Sequence, residues 1–160
     1  MSMPLFMSEK DLVQGSAAVD LLSGDMKTLF VYGNEANMMV ATRSPGYHSK
    51  PHKHIPEQLN YVVEGELWIF IVDKAYHLKK GDFLRIPGNL LHWAWNRGSV
   101  PCTMVQAHAP VLAPESRAGT FGLFDDDEKP QIRKSPPSET LDIDLSEIER
   151  RAMAAVGVAV

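Results

Sequence analysis

A chain of 160 residues with 44% hydrophobic and 22% charged side chains is long enough for one domain with a proper core. Its net charge of −4 argues against a nucleic-acid partner, and no apolar run approaches the ~18 residues of a membrane span. Residues 1–9 lack the basic start and apolar stretch of a signal peptide, and the one cysteine, Cys102, can form no internal disulfide. The cytoplasm is therefore the expected compartment, with Cys102 a buried free thiol.

Residues 1–25 read as an N-terminal arm. Within it Ser8-Glu9-Lys10-Asp11 can cap a short helical turn, and residues 17–22 suit another turn or the arm itself. From Met26 the texture changes. Two β-rich runs, 27–32 and 37–42, flank Gly33-Asn34 and predict a hairpin. A further strand runs through Leu59-Asn60-Tyr61-Val62-Val63 to a turn at Gly65. Residues 67–72, Leu-Trp-Ile-Phe-Ile-Val, are apolar on both parities, so both faces should be covered: one by the interior, the other by a second sheet or a subunit. A homodimer is expected on that ground. Short strands follow around Tyr76-His77-Leu78, with His77 a solvated residue, and over residues 83–87, 92–96 and 103–108. Along 92–96, His92, Ala94 and Asn96 share one face, and Trp93 and Trp95 the other, as packing residues.

Many short strands punctuated by Gly and Pro predict an all-β sandwich or barrel over residues 26–112. Residues 113–160 form a C-terminal extension expected to pack on the barrel or on a partner subunit. It holds the acidic run 125–128, which lacks the ligand spacing of a calcium loop and reads as a solvated turn. It ends in a helix over 146–156, with Ser146 as N-cap and Glu149 closing a capping box.

The chemistry concentrates in Pro51-His52-Lys53-His54-Ile55-Pro56-Glu57-Gln58. On an extended strand His52, His54 and Gln58 share a parity and face one way, a geometry suited to chelating a divalent ion. Glu57 is the rival to Gln58 as a ligand, but on a regular strand it faces away from both histidines, and only a bulge would turn it inward.

The spacing extends in both directions. Gly46, five residues, His52-x-His54, three residues, Gln58, six residues, Gly65 is followed after fifteen residues by Gly81, five residues, Pro87, four residues, His92, three residues, Asn96. These two motifs resemble those of the cupin superfamily. The likeness runs from about residue 38 to 110 and is closest to single-domain microbial cupins that ketonise unsaturated uronates or cyclise polyketides. Two departures stand out: Gln58 occupies the usual glutamate position, and the usual Pro-x-Gly turn reads Pro87-Gly88-Asn89. The resemblance implies a jelly-roll barrel (a double-stranded β-helix) and one divalent metal per subunit, held by His52, His54, Gln58 and His92. Zn²⁺ is the first choice, with Fe²⁺, Mn²⁺ or Ni²⁺ as alternatives.

Four neutral donors would leave the ion its full double charge, a strong Lewis acid. Gln58 cannot take a proton as a glutamate would, so a general base must come from elsewhere; His48, Tyr61 and His108 are the candidates. Three readings follow for a small-molecule substrate. The first is a non-redox isomerase, lyase or cyclase working on a small carbonyl or hydroxy acid by enolate chemistry. The second is an Fe(II) dioxygenase of a phenol or diketone, and the third a metal-dependent binding or sensing module.

Overall fold

A computed structural model describes Phe6 and residues 8–12, 14–15, 19–33, 35–112 and 138–159. The acidic run 125–128 lies outside the described residues. Among the described residues a 3-10 turn at Glu9–Asp11 precedes twelve strands: β1 (Leu21–Ser23), β2 (Met26–Tyr32), β3 (Asn37–Arg43), β4 (His48–Ser49), β5 (His52–Lys53), β6 (Glu57–Glu64), β7 (Glu66–Ile71), β8 (Lys74–Lys79), β9 (Phe83–Ile86), β10 (His92–Trp95), β11 (Cys102–Ala109) and β12 (Glu139–Thr140). One helix, α1 (Ser146–Ala154), follows them.

The strands form two antiparallel sheets. One has the order β2-β3-β11-β6-β9; the other runs β1-β4-β10-β5-β12, with β7 joining β10 to β8. The all-β architecture expected from strand spacing is observed, in the jelly-roll form that the resemblance implies. Alternation builds the interior. On β3 the buried side chains are Asn37, Met39, Ala41 and Arg43; on β11 they are Cys102, Met104, Gln106 and His108; on β6 they are Gln58, Asn60 and Val62. The 27–42 hairpin pairs Tyr32 with Asn37, closed by the Gly33 amide on the Ala36 carbonyl at 2.8 Å. Cys102 is a buried free thiol, pushed up to about 11 chiefly by burial.

Residues 21–23 are not a helical turn. They pair with β4 and extend the second sheet, with Gly24 turning the chain into β2. The outer face of β7 also has an unexpected cover. Trp68 and Phe70 pack with Ala75, Trp93, Leu145, Ala152 and Met153, so the chain's own helix lies over the strand. A partner subunit is therefore not needed to hide that face.

The capping box does not form. The position before the helix is Leu145, with no side-chain cap; the Ser146 amide and hydroxyl both bond the Asp144 carboxylate instead. Glu149 turns inward because two donors wait for it. It is buried and accepts from Trp93 Nε1–H at 2.7 Å and from His48 Nε2 at 2.7 Å. Glu149→Leu is expected to lower stability by roughly 2 kcal/mol or more, because buried donors lose their acceptor. Urea denaturation checks this; an unchanged midpoint would mean that the helix is held by apolar contacts alone.

Candidate metal centre

Three histidines meet inside the barrel. His52 comes from β5, His54 from the bend after it, and His92 from β10, whose Cα is registered opposite that of His52. All three are buried, and one nitrogen from each lies within 4.8 Å of the others. The spread slightly exceeds the ~4.2 Å between opposite ligands of an ion with ~2.1 Å bonds, so a small closing shift would seat one.

Backbone carbonyls decide which nitrogen faces inward. His52 Nδ1 lies 2.9 Å from the Lys50 carbonyl, His54 Nδ1 2.9 Å from that of Pro56, and His92 Nδ1 2.8 Å from that of Leu90. A carbonyl only accepts, so each Nδ1 carries the proton and each Nε2 presents a lone pair to the cluster. His92 Nε2 is buried with no hydrogen-bond partner among the described residues. Burial, the largest cause in each case, pushes His52 down to about 4 and lowers His54 and His92 as well, so the lone pairs stay free at neutral pH.

Gln58 supplies a fourth donor, and its orientation is fixed by a chain of amides. Asn60 Nδ2 donates to the Leu84 carbonyl, so Asn60 Oδ1 accepts from Gln58 Nε2 at 2.7 Å and from Gln106 Nε2 at 2.7 Å. That aims Gln58 Oε1 at His54 Nε2, 3.2 Å away. Two lone pairs facing each other at this distance repel unless a cation lies between them. Two donors ~2.1 Å from one ion stand ~3.0–3.4 Å apart, so the residues fit a divalent metal. Glu57, the rival ligand, points outward to an ion pair with Arg85. No bulge turns it.

The three candidate bases lie in three different settings. Tyr61 is not in the cavity. It is partly exposed on the outer face of β6, its ring 4.6 Å from that of Phe83, because Gln58, Asn60 and Val62 take the inward parity. His48 is not there either; it stacks on Trp95 at 4.6 Å and bonds Glu149. The strand is interrupted between Ser49 and His52, so parity counted back from His52 fails, and Ser49 is the buried residue. His108 does line the cavity, opposite Gln58 in register. Its Nδ1 accepts from Asn37 Nδ2 at 3.1 Å, whose Oδ1 in turn accepts from the Leu112 amide, leaving His108 Nε2–H facing Gln58 Oε1 at 3.3 Å. Burial, the largest cause, pushes His108 down to about 3, and its Nε2 lies against Gln58 Oε1. His77 stacks on Trp68 and pairs with Glu66, away from the cluster.

The turn at 87–89 holds the site from behind. The Asn89 amide donates to the His54 carbonyl at 2.7 Å, and Asn89 adopts φ +63° where a glycine is usual. Gly88 is needed for another reason: a Cβ there would run into the Ile55 carbonyl. The shifted glycine thus keeps the turn pressed on the His54 bend. Missed from the sequence was Arg43, a cavity-lining cation whose inward position on β3 is signalled only by strand alternation.

Comparison with known proteins agrees with this architecture. The family described as Cupin domain matches residues 39–108. An acireductone dioxygenase of Leptospira biflexa is 40% identical over 48 residues, 28% of this chain and 27% of that protein, so the chain spans about a quarter of the curated relative's length. The polyketide cyclase RemF from Streptomyces resistomycificus superposes with a TM-score of 0.63 at 14% identity, covering 92% of each chain. A cupin-like protein of Thermotoga maritima superposes at 0.59 with 17% identity over 95% of each chain. At these identities the likeness to the solved structures is one of fold.

Proposed function

This chain belongs to the cupin superfamily, and from that premise we propose a metal-dependent, non-redox enzyme, an isomerase, lyase or cyclase acting on a small carbonyl or hydroxy-acid substrate. The observation that carries the proposal is the convergence of three histidine lone pairs and the Gln58 carbonyl oxygen, all neutral, inside a closed barrel. A divalent ion there, Zn²⁺ first, would act as a Lewis acid on a substrate oxygen. Among the described residues lining the cavity there is no carboxylate, so none of these offers an anionic base. Its side chains orient and exclude water: Gln58 is held by His108 and Asn60, and Phe30, Met39 and Ile86 line the cavity with apolar surface. The test is elemental analysis of the purified protein, then deuterium exchange by NMR at the carbon next to a small keto acid's carbonyl. One Zn²⁺ per subunit with metal-dependent exchange supports the reading; a metal-free preparation that cannot be loaded sinks it.

The short likeness to an acireductone dioxygenase favours one second reading, an Fe(II) dioxygenase of a phenol or diketone. Oxygen uptake that needs Fe²⁺ and vanishes with Zn²⁺ would select it.

Gln58→Glu is expected to keep the metal while changing activity or metal preference by ten-fold or so, since a carboxylate cancels part of the ion's charge. Glu57→Gln, its paired control, should be silent because Glu57 faces Arg85. Metal-competition assays and turnover of both variants decide; an unaltered Gln58→Glu protein would place position 58 outside the coordination shell.

We also propose a homodimer through the outer face of the first sheet, and a cytoplasmic setting. Leu59, Tyr61 and Val63 of β6 and Phe83 of β9, the last 78% exposed, form one apolar stripe there. A monomer at micromolar concentration by sedimentation would remove the dimer. No helix among the described residues is long and apolar enough to cross a membrane.

A further inference from the structure

The cavity holds a second centre of charge that the metal site does not use. Arg43, the last residue of β3, faces the interior and is only 5% exposed. Its Nη2 donates to Gln106 Oε1 at 2.7 Å, and its guanidinium lies over the Tyr47 ring, 5.4 Å from the centroid. Nε and Nη1 are buried and have no hydrogen-bond partner among the described residues. A guanidinium is a permanent cation with five donors, and burying it without an anion is costly. Elsewhere in the chain arginines do pair: Arg85 with Glu57, Arg150 with Glu147. Arg43 does not.

We propose that Arg43 is the binding residue for the carboxylate of the substrate, which makes the substrate class a small carboxylic acid. Gln106 takes one hydrogen of Nη2. The other hydrogen forms a two-nitrogen fork with either Nε or Nη1, both free, so one bidentate face stays open in either case, matched to a planar carboxylate. The same amides that hold Gln58 hold Arg43. Gln106 accepts from Arg43 and donates to Asn60, which also accepts from Gln58. One rigid network therefore positions the fourth metal donor and the anion donor together.

Charge and size point the same way. With a divalent ion bound, the cavity would carry three positive charges and, among the described residues, no lining carboxylate to balance them. Its volume of about 50 Å³ suits a few heavy atoms, a water needing ~10–15 Å³ on that measure. A small carboxylate satisfies both limits; a phosphate ester is bulkier and would demand more donors than one guanidinium offers.

The inference rests on the proposed metal site only for the substrate's other end, so the two can be tested apart. Glycolate and its neutral counterpart glycolamide are titrated by calorimetry into the whole protein, metal-loaded and metal-stripped, as wild type, Arg43→Lys and Arg43→Met. Glycolate is expected to bind the wild type at least about ten-fold tighter than glycolamide in both metal states, with the preference cut by Arg43→Lys and abolished by Arg43→Met. Circular dichroism establishes that each variant is folded; if Arg43→Met is not, Arg43→Lys and the wild-type preference decide. A preference present only with metal and untouched by either variant would overturn the role of Arg43 while leaving the metal reading intact. An Arg43-dependent preference in a protein that holds no metal would do the reverse. Inorganic phosphate binding tighter than glycolate would also overturn the carboxylate assignment.

Discussion

Replacing His92 with alanine is expected to leave a folded barrel that retains far less than one divalent ion per subunit. His92 Nε2 is buried and has no hydrogen-bond partner among the described residues, so none of their contacts depends on that nitrogen. Its Nδ1 bonds only the nearby Leu90 carbonyl, a local contact whose loss does not open the sheets. The metal does depend on it. Loss of a supporting partner around a ligand already costs ~10–100-fold in affinity, and loss of the ligand itself should cost more. His52→Ala should behave alike, since its Nε2 points into the same space from β5. Metal content by elemental analysis after dialysis, with circular dichroism as the folding control, settles the matter. Full occupancy in both variants would mean that the ligands are misassigned.

The metal-free protein is expected to lose stability steeply as pH falls below neutrality. Burial lowers four histidines of one cavity: His52 to about 4, His108 to about 3, and His54 and His92 in the same direction. In the unfolded chain each titrates near ~6.5. Between those values the unfolded state binds more protons than the folded one, so acid favours unfolding. The stabilising contribution is whole above ~6.5 and disappears as pH drops through the folded values. At ~1.4 kcal/mol per pKa unit, His52 alone contributes about 3 kcal/mol. Metal-loaded protein should resist to lower pH, because the ion competes with protons for the same lone pairs. Urea midpoints from pH 7.5 to 4.5, with and without chelator, measure both curves. A flat metal-free curve would mean that the cluster is hydrated and ordinary.

The misreadings share a cause. Counting two residues at a time from His52 places His48 on the same face, but the extended chain breaks between Ser49 and His52. Tyr61 was already out of phase with Gln58, and alternation within β6 carries it to solvent. Ser146 and Glu149 have the spacing of a capping box, yet Glu149 is drawn to Trp93 and His48, more than fifty residues away in the chain. Local pattern lost each time to a distant partner. Where no such partner intervened, as for the hairpin of β2 and β3, the pattern held.

Sequence alone determined the class of fold, because strand alternation is a property of the chain's own geometry, and the motif spacing brought forward the three histidines that the fold clusters. It also separated Gln58 from Glu57, a distinction of parity. Tertiary structure decided what those residues do together. Which nitrogen each histidine presents depends on carbonyls that only the folded bends bring near, and the orientation of Gln58 depends on Asn60, His108 and Gln106 from two strands. The same is true of the helix covering β7 and of an arginine left without an anion: long-range contacts close these choices, and no local pattern encodes them.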